Sequence, residues 1–170
     1  MSEVLARWNE LRREEAEQEI LACCGSRTWA SSMVSKRPIH DEASLLAAAD
    51  AAWQHLQEAD WLEAFRSHPR IGETRGEKMA TPQSSAWAAQ EQQEAAAADD
   101  SVKMELKRSN LEYEQKFGRI FVVCATGKSA SEILEILKSR LQNDEATELR
   151  QAAEEQRKIM NLRLKKWIAG

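Results

Sequence analysis

Apolar residues recur three and four positions apart through most of this chain, the spacing that lines one face of an α-helix. Val4, Leu5, Trp8 and Leu11 open such a face; it resumes at Ile20 and Leu21, with Gly25 as a C-terminal stop. Ser26 is placed to cap a short helix reaching about Ser35. Asp41 is placed to cap "EASLLAAADAAWQHLQ", where Leu45, Leu46, Ala49, Trp53 and Leu56 share a side. Asp60 and Glu63 read as an acidic variant of the capping box for a helix carrying Trp61, Leu62 and Phe65. That helix must end at His68-Pro69, because proline has no N–H and pushes the residue before it out of the α region.

Beyond the bend, "ETRGEKMATP" at 73–82 is polar and broken by Gly76 and Pro82, so it reads as an exposed loop. "QSSAWAAQEQQEAAAADD" is rich in strong helix formers, with Ser84 or Ser85 as its cap. A structureless Gln/Ala linker is the alternative, but Trp87 and Glu91 stand at i and i+4 on one helical face. Val102, Leu106, Tyr113 and Phe117 mark the next helix, stopped by Gly118. "IFVVCA" at 120–125 is a buried strand or a buried helical turn, and periodicity does not separate the two. Ser129 and Glu132 form a capping box before Ile133, Leu134, Leu137 and Leu141, and a last helix runs from about Asp144 to Trp167. The sum is an all-α fold: a single-domain helical bundle of about eight helices over residues 1–170, without internal repeats.

Charge narrows the function. With 24 basic against 28 acidic residues the chain offers no electrostatic footprint for nucleic acid. Its longest apolar run, Ile120 to Ala125, is too short to span a bilayer, and the charged start lacks a secretory apolar stretch, which implies a soluble, cytoplasmic protein. Cys23, Cys24 and Cys124 form neither a CxxC pattern nor an even set, which suits a reducing compartment. No metal site is expected, since His40, His55 and His68 lack paired ligand spacing. "VVCATGKSASEIL" imitates the end of a phosphate-binding loop, yet Val122 occupies the position where that loop needs glycine; Ser129 reads instead as a helix cap. His68 is different, because the bend at Pro69 aims its imidazole with little freedom. Local rules leave two readings, a working imidazole or a charge that suits a helix C-terminus.

Four blocks decide between them. "FRSHPRIGE", "WAAQEQ", "NLEYEQKFGRIFVVCATGKSASEIL" and "RLQNDEATELRQAAEEQRKIMNLRL", in that order, resemble the 2-oxo-4-hydroxy-4-carboxy-5-ureidoimidazoline (OHCU) decarboxylase family. The similarity runs from "RPIHDEASL" to the C-terminus. It implies an all-α fold and a cofactor-independent carboxy-lyase that makes S-allantoin and CO2 in the last step from urate. It implies His68, before Pro69, as general acid/base and Glu91 as its catalytic partner. Substrate would be bound by Pro69, Gln92, the backbone of Phe121, Val122, Val123, Cys124 and Ala125, and Arg163. A homodimer is implied as well. The chain departs from the family at Ala88, where a serine hydroxyl is missing, and at Arg70, which replaces an aspartate of some relatives. Two other readings compete: a helical protein-interaction module that docks through tryptophans and charged helices, and a hydrolase of a related ureide.

Overall fold

The computed structural model describes residues 2–72 and 81–170, and all regular elements among them are helical. The chain divides into two compact units, Met1–Ala64 with Arg157–Gly170, and Phe65–Gln156. Among the described residues nine α-helices and one short 3-10 turn stand where about eight helices were expected.

The first unit holds α1 (Glu3–Glu10), α2 (Arg13–Ile20), α3 (Arg27–Val34), α4 (Glu42–Gln54) and most of α5 (Glu58–Arg66). The face begun at Val4 does not continue: Leu11 turns extended and closes α1, so α2 starts afresh. Gly25 is not the stop, because α2 ends at Ile20 and Leu21 closes it in right-handed geometry. Ser26 and Asp41 cap as expected, accepting from the backbone of Trp29 and Ser44. The acidic box at Asp60 and Glu63 is corrected. α5 starts at Glu58, so Asp60 lies inside the first turn and reaches back to the Gln57 N–H (3.1 Å), while Glu63 accepts from the Arg27 backbone (2.7 Å). Trp8 and Trp29 are fully buried, and each indole N–H is satisfied by a carbonyl, of Ala16 (3.0 Å) and Ala49 (3.2 Å).

The second unit holds α6 (Pro82–Glu91), the 3-10 turn Ala95–Ala97, α7 (Asp100–Phe117), α8 (Ala130–Arg140) and the opening part of α9 (Glu145–Ala169). The expected loop at 73–82 lies outside the described residues except for its end. There Thr81 and Pro82 start α6: the Thr81 hydroxyl accepts from Ser84 N–H (3.0 Å), and proline's fixed φ suits the first helical position. Thr81, rather than Ser84 or Ser85, is therefore the cap, and the helix replaces the structureless alternative. Gly118 ends α7 in left-handed geometry (φ 69°), as its position predicts. Leu106, Tyr113, Phe117, Phe121, Val123, Ile133 and Leu137 form this unit's core.

Residues 120–125 are neither of the two expected elements. They form an irregular strap, with no ladder partner among the described residues. It is buried from Phe121 to Ala125, so its polar groups need partners other than water. Partners come from Arg140 of α8, Glu155 of α9 and Lys128, which lies between the strap and α8.

Candidate active site

His68 follows the last turn of α5; its N–H still bonds the Phe65 carbonyl (3.1 Å), while Pro69 prevents continuation. Both residues are buried, with His68 only 8% exposed. The imidazole is anchored: Nε2 lies 2.6 Å from Oε1 of Gln156, a fully buried residue of α9. The bend is also tied to α6, because the Gly72 N–H donates to Gln92 Oε1 (2.8 Å). Gln92, expected to bind substrate, thus uses its carbonyl to close the turn after His68. Arg70 pairs with Glu114 (2.7 Å) on the exposed side of the turn.

The strap is braced from behind. Arg140 donates to the Val122 carbonyl (2.6 Å) and stacks over the Phe121 ring at 4.6 Å. Its charge is matched by Glu148, fully buried, which also accepts from Tyr113 Oη (2.5 Å) and Asn143 Nδ2 (3.0 Å). Burial chiefly, and then the bond to Glu148, push the Tyr113 phenol well above its usual range. On the strap's other end Lys128 Nζ donates to the Cys124 carbonyl (2.7 Å), and Cys124 N–H meets Glu155 Oε1 at 3.3 Å. Val123 lies between these braced residues and is 5% exposed; among the described residues no hydrogen-bond partner stands against its N–H or C=O. The Cys124 thiol is pushed upward, first by burial, and it senses the charges of Lys128, Glu155 and Glu91. Glu91, the last residue of α6, therefore bears electrostatically on the strap.

Two adjacent residues of α9 thus serve two parts of this unit: Glu155 meets the strap and Gln156 meets His68. Neither contact is expected from the sequence, and the same holds for the roles of Arg140, Glu148 and Lys128. A signal existed in the spacing of α9, where Glu148, Gln156 and Arg163 interrupt an otherwise apolar stripe with Ala152 and Ile159 and are all buried. The glycine-lysine-serine decoy resolves into local structure, Lys128 on the Cys124 carbonyl and Ser129 capping α8 through the Glu132 N–H (3.2 Å).

Arg163 belongs to the first unit. It is 2% exposed and donates to the Ala22 carbonyl (3.3 Å). Its charge also acts on the Cys23 and Cys24 thiols, but burial dominates there and pushes Cys24 up to about 12. A cavity of about 680 Å³ opens in the second unit, bordered by Arg70, Gln92, Lys103, Lys107, Asn110 and Glu114. Its described lining touches the His68 bend only through Arg70, Ile71 and Gly72, and includes neither His68 nor Glu91. This cavity and the buried imidazole are therefore different features, and chemistry argues for the imidazole.

Comparison with known proteins bears on that choice. The model of the family described as OHCU decarboxylase matches residues 9–165. The chain belongs to the OHCU decarboxylase family. It is 35% identical over 153 residues to the uric acid degradation bifunctional protein TTL of Arabidopsis thaliana, covering 90% of this chain and 47% of that protein. Against the 2-oxo-4-hydroxy-4-carboxy-5-ureidoimidazoline decarboxylase of Xenopus laevis it is 44% identical over 55 residues, 32% of this chain and 31% of that one. The chain spans less than half the length of these curated relatives. Among solved structures, a crystal structure of OHCU decarboxylase in the presence of (S)-allantoin is similar, with TM-score 0.76 and 36% identity, covering 89% of this chain and 98% of that chain. The all-α fold expected for the family is the fold observed.

Proposed function

We propose that this protein decarboxylates 2-oxo-4-hydroxy-4-carboxy-5-ureidoimidazoline to S-allantoin and CO2. Family membership over residues 9–165 supports the reaction class, and the observation that carries the site is the buried imidazole of His68 held at a fixed angle by Gln156. In this substrate the departing carboxylate sits next to a ring C=N. When the bond to the carboxylate breaks, CO2 leaves and the electron pair flows into that imine, whose nitrogen takes up a proton to give an enol; the enol hydroxyl then gives up its proton to become the ring carbonyl as the neighbouring carbon takes one. The substrate is its own electron sink. The protein is left to orient it, to exclude water and to deliver the proton to one face.

His68 suits the proton transfer, because an imidazole serves as acid and base near neutral pH. Glu91 holds the ring, the ureido N–H groups or the imidazole, and Gln92 contributes its amide N–H2 beside a carbonyl already engaged by Gly72. Pro69 supplies a buried wall. The strap from Phe121 to Ala125 reads the urea-like edges through its backbone, a role supported by its irregular, buried course and by the absence, among the described residues, of a hydrogen-bond partner for the Val123 backbone. Arg163 offers a fixed fork for a carboxylate or ring carbonyl, a role supported by the resemblance and by burial of its guanidinium. We further read the chain as one domain, because the family model runs through both units, and as a cytoplasmic homodimer. The free, buried thiols of Cys23, Cys24 and Cys124 support a reducing compartment, and the dimer rests on the family resemblance.

The test generates the unstable substrate in situ from urate and its upstream enzymes and follows allantoin chirality by circular dichroism. Acceleration over spontaneous decay, with CO2 and no ammonia, is expected; ammonia release would point to a ureide hydrolase. His68→Asn is expected to lower kcat by about 10² to 10⁴-fold while leaving the helical spectrum unchanged. Full activity in that variant would remove His68 from the mechanism.

A further inference from the structure

We infer that Gln156 is a positioning residue that holds the neutral His68 ring in its Nε2–H tautomer, so that the basic atom of the imidazole is Nδ1. The inference rests on the functional reading above for its importance, but not for its geometry. Gln156 stands at 2.6 Å from His68 Nε2 through its carbonyl oxygen, which can only accept, so the ring nitrogen must carry the proton. An imidazole protonated at Nε2 has its lone pair at Nδ1 by simple valence.

Burial strengthens the argument. Gln156 is 0% exposed and His68 8%, so the bond lies in a largely dry setting where it is stronger than in water. The Gln156 amide nitrogen is itself buried and, among the described residues, has no hydrogen-bond partner. A buried donor without a partner weakens a fold, and an apolar side chain would remove it. By spacing, Gln156 continues the stripe of Ala152 and Ile159, where packing alone asks for such an apolar side chain. The amide is therefore a cost to the fold that has an evident return at His68: a fixed tautomer and a fixed ring plane. The same bond persists when the ring gains a second proton, since Nε2–H still donates. One nitrogen can then take up and return the proton while the other stays anchored.

The tautomer can be read without turnover. In the nitrogen-15 spectrum of the full chain at a pH where His68 is neutral, Nε2 is expected to carry the proton and Nδ1 to appear as the pyridine-type nitrogen. The reverse pattern overturns the inference. Gln156→Met is expected to remain folded, with a denaturation midpoint equal to or above the parent's, to lose the tautomer bias, and to lower kcat about 10 to 100-fold with KM changed less than about threefold. An unchanged kcat, or a loss confined to KM, overturns it as well. If the parent shows no decarboxylation, the proposed function fails while the wild-type spectrum still decides the tautomer. Because that spectrum needs no variant, a misfolded Gln156→Met leaves the inference testable.

Discussion

At the residue scale the second unit depends on one buried ion pair, Arg140 with Glu148, at 6% and 0% side-chain exposure. Removing one partner strands the other in a dry interior. Arg140→Met is therefore expected to cost about 3–5 kcal/mol in urea unfolding. Replacing both partners with apolar residues is expected to cost less, because no charge is left alone. The same arginine holds the Val122 carbonyl, so a folded Arg140→Lys protein, which keeps the charge but loses the fork, is expected to raise KM more than it lowers kcat. A sequence hides such a residue. Arg140 closes an amphipathic helix with a basic last turn, which is an ordinary solvated arrangement until Glu148 is brought beside it.

Helix starts and stops were largely legible at the scale of elements, because caps are local chemistry. Ser26, Asp41, Gly118 and Ser129 act where the sequence indicated. Ser26→Ala is expected to cost about 1 kcal/mol by thermal or urea unfolding, since the buried Trp29 N–H then loses its acceptor (3.1 Å). Gly118→Ala is expected to destabilise by about 1–2 kcal/mol through backbone strain alone, as nothing lies within 4 Å of an added Cβ. The misplaced caps are equally informative. Ser84 has the right chemistry but lies one turn too late, since Pro82 already fixes the first turn and Thr81 precedes it. Asp60 also has the right chemistry, but it acts backward from within the turn. The strap at 120–125 was not legible at all, because an apolar run says that a segment is buried and nothing about which groups satisfy its backbone.

At the scale of the whole molecule, described unit by unit, alkaline pH is the informative stress. The folded second unit holds the Tyr113 proton more tightly than the ordinary phenol value of 10.0, first through burial and then through Glu148. Stability from this group is thus fully present below that value and is lost as pH rises above it. Urea midpoints are expected to fall above about pH 10, and Tyr113→Phe is expected to reduce that fall. No helix among the described residues is long and apolar enough to cross a membrane. What the sequence by itself determined was the helical class, most caps, the bend at His68-Pro69 and, through four ordered blocks, the family; each is encoded within a few turns of chain or in motif order. What only the tertiary structure decided was the set of long-range partners. Gln156 meets His68 across 88 residues and Tyr113 meets Glu148 across 35. Such pairs follow from which helix faces close on one another, and helical periodicity records that a face is buried without recording what it is buried against.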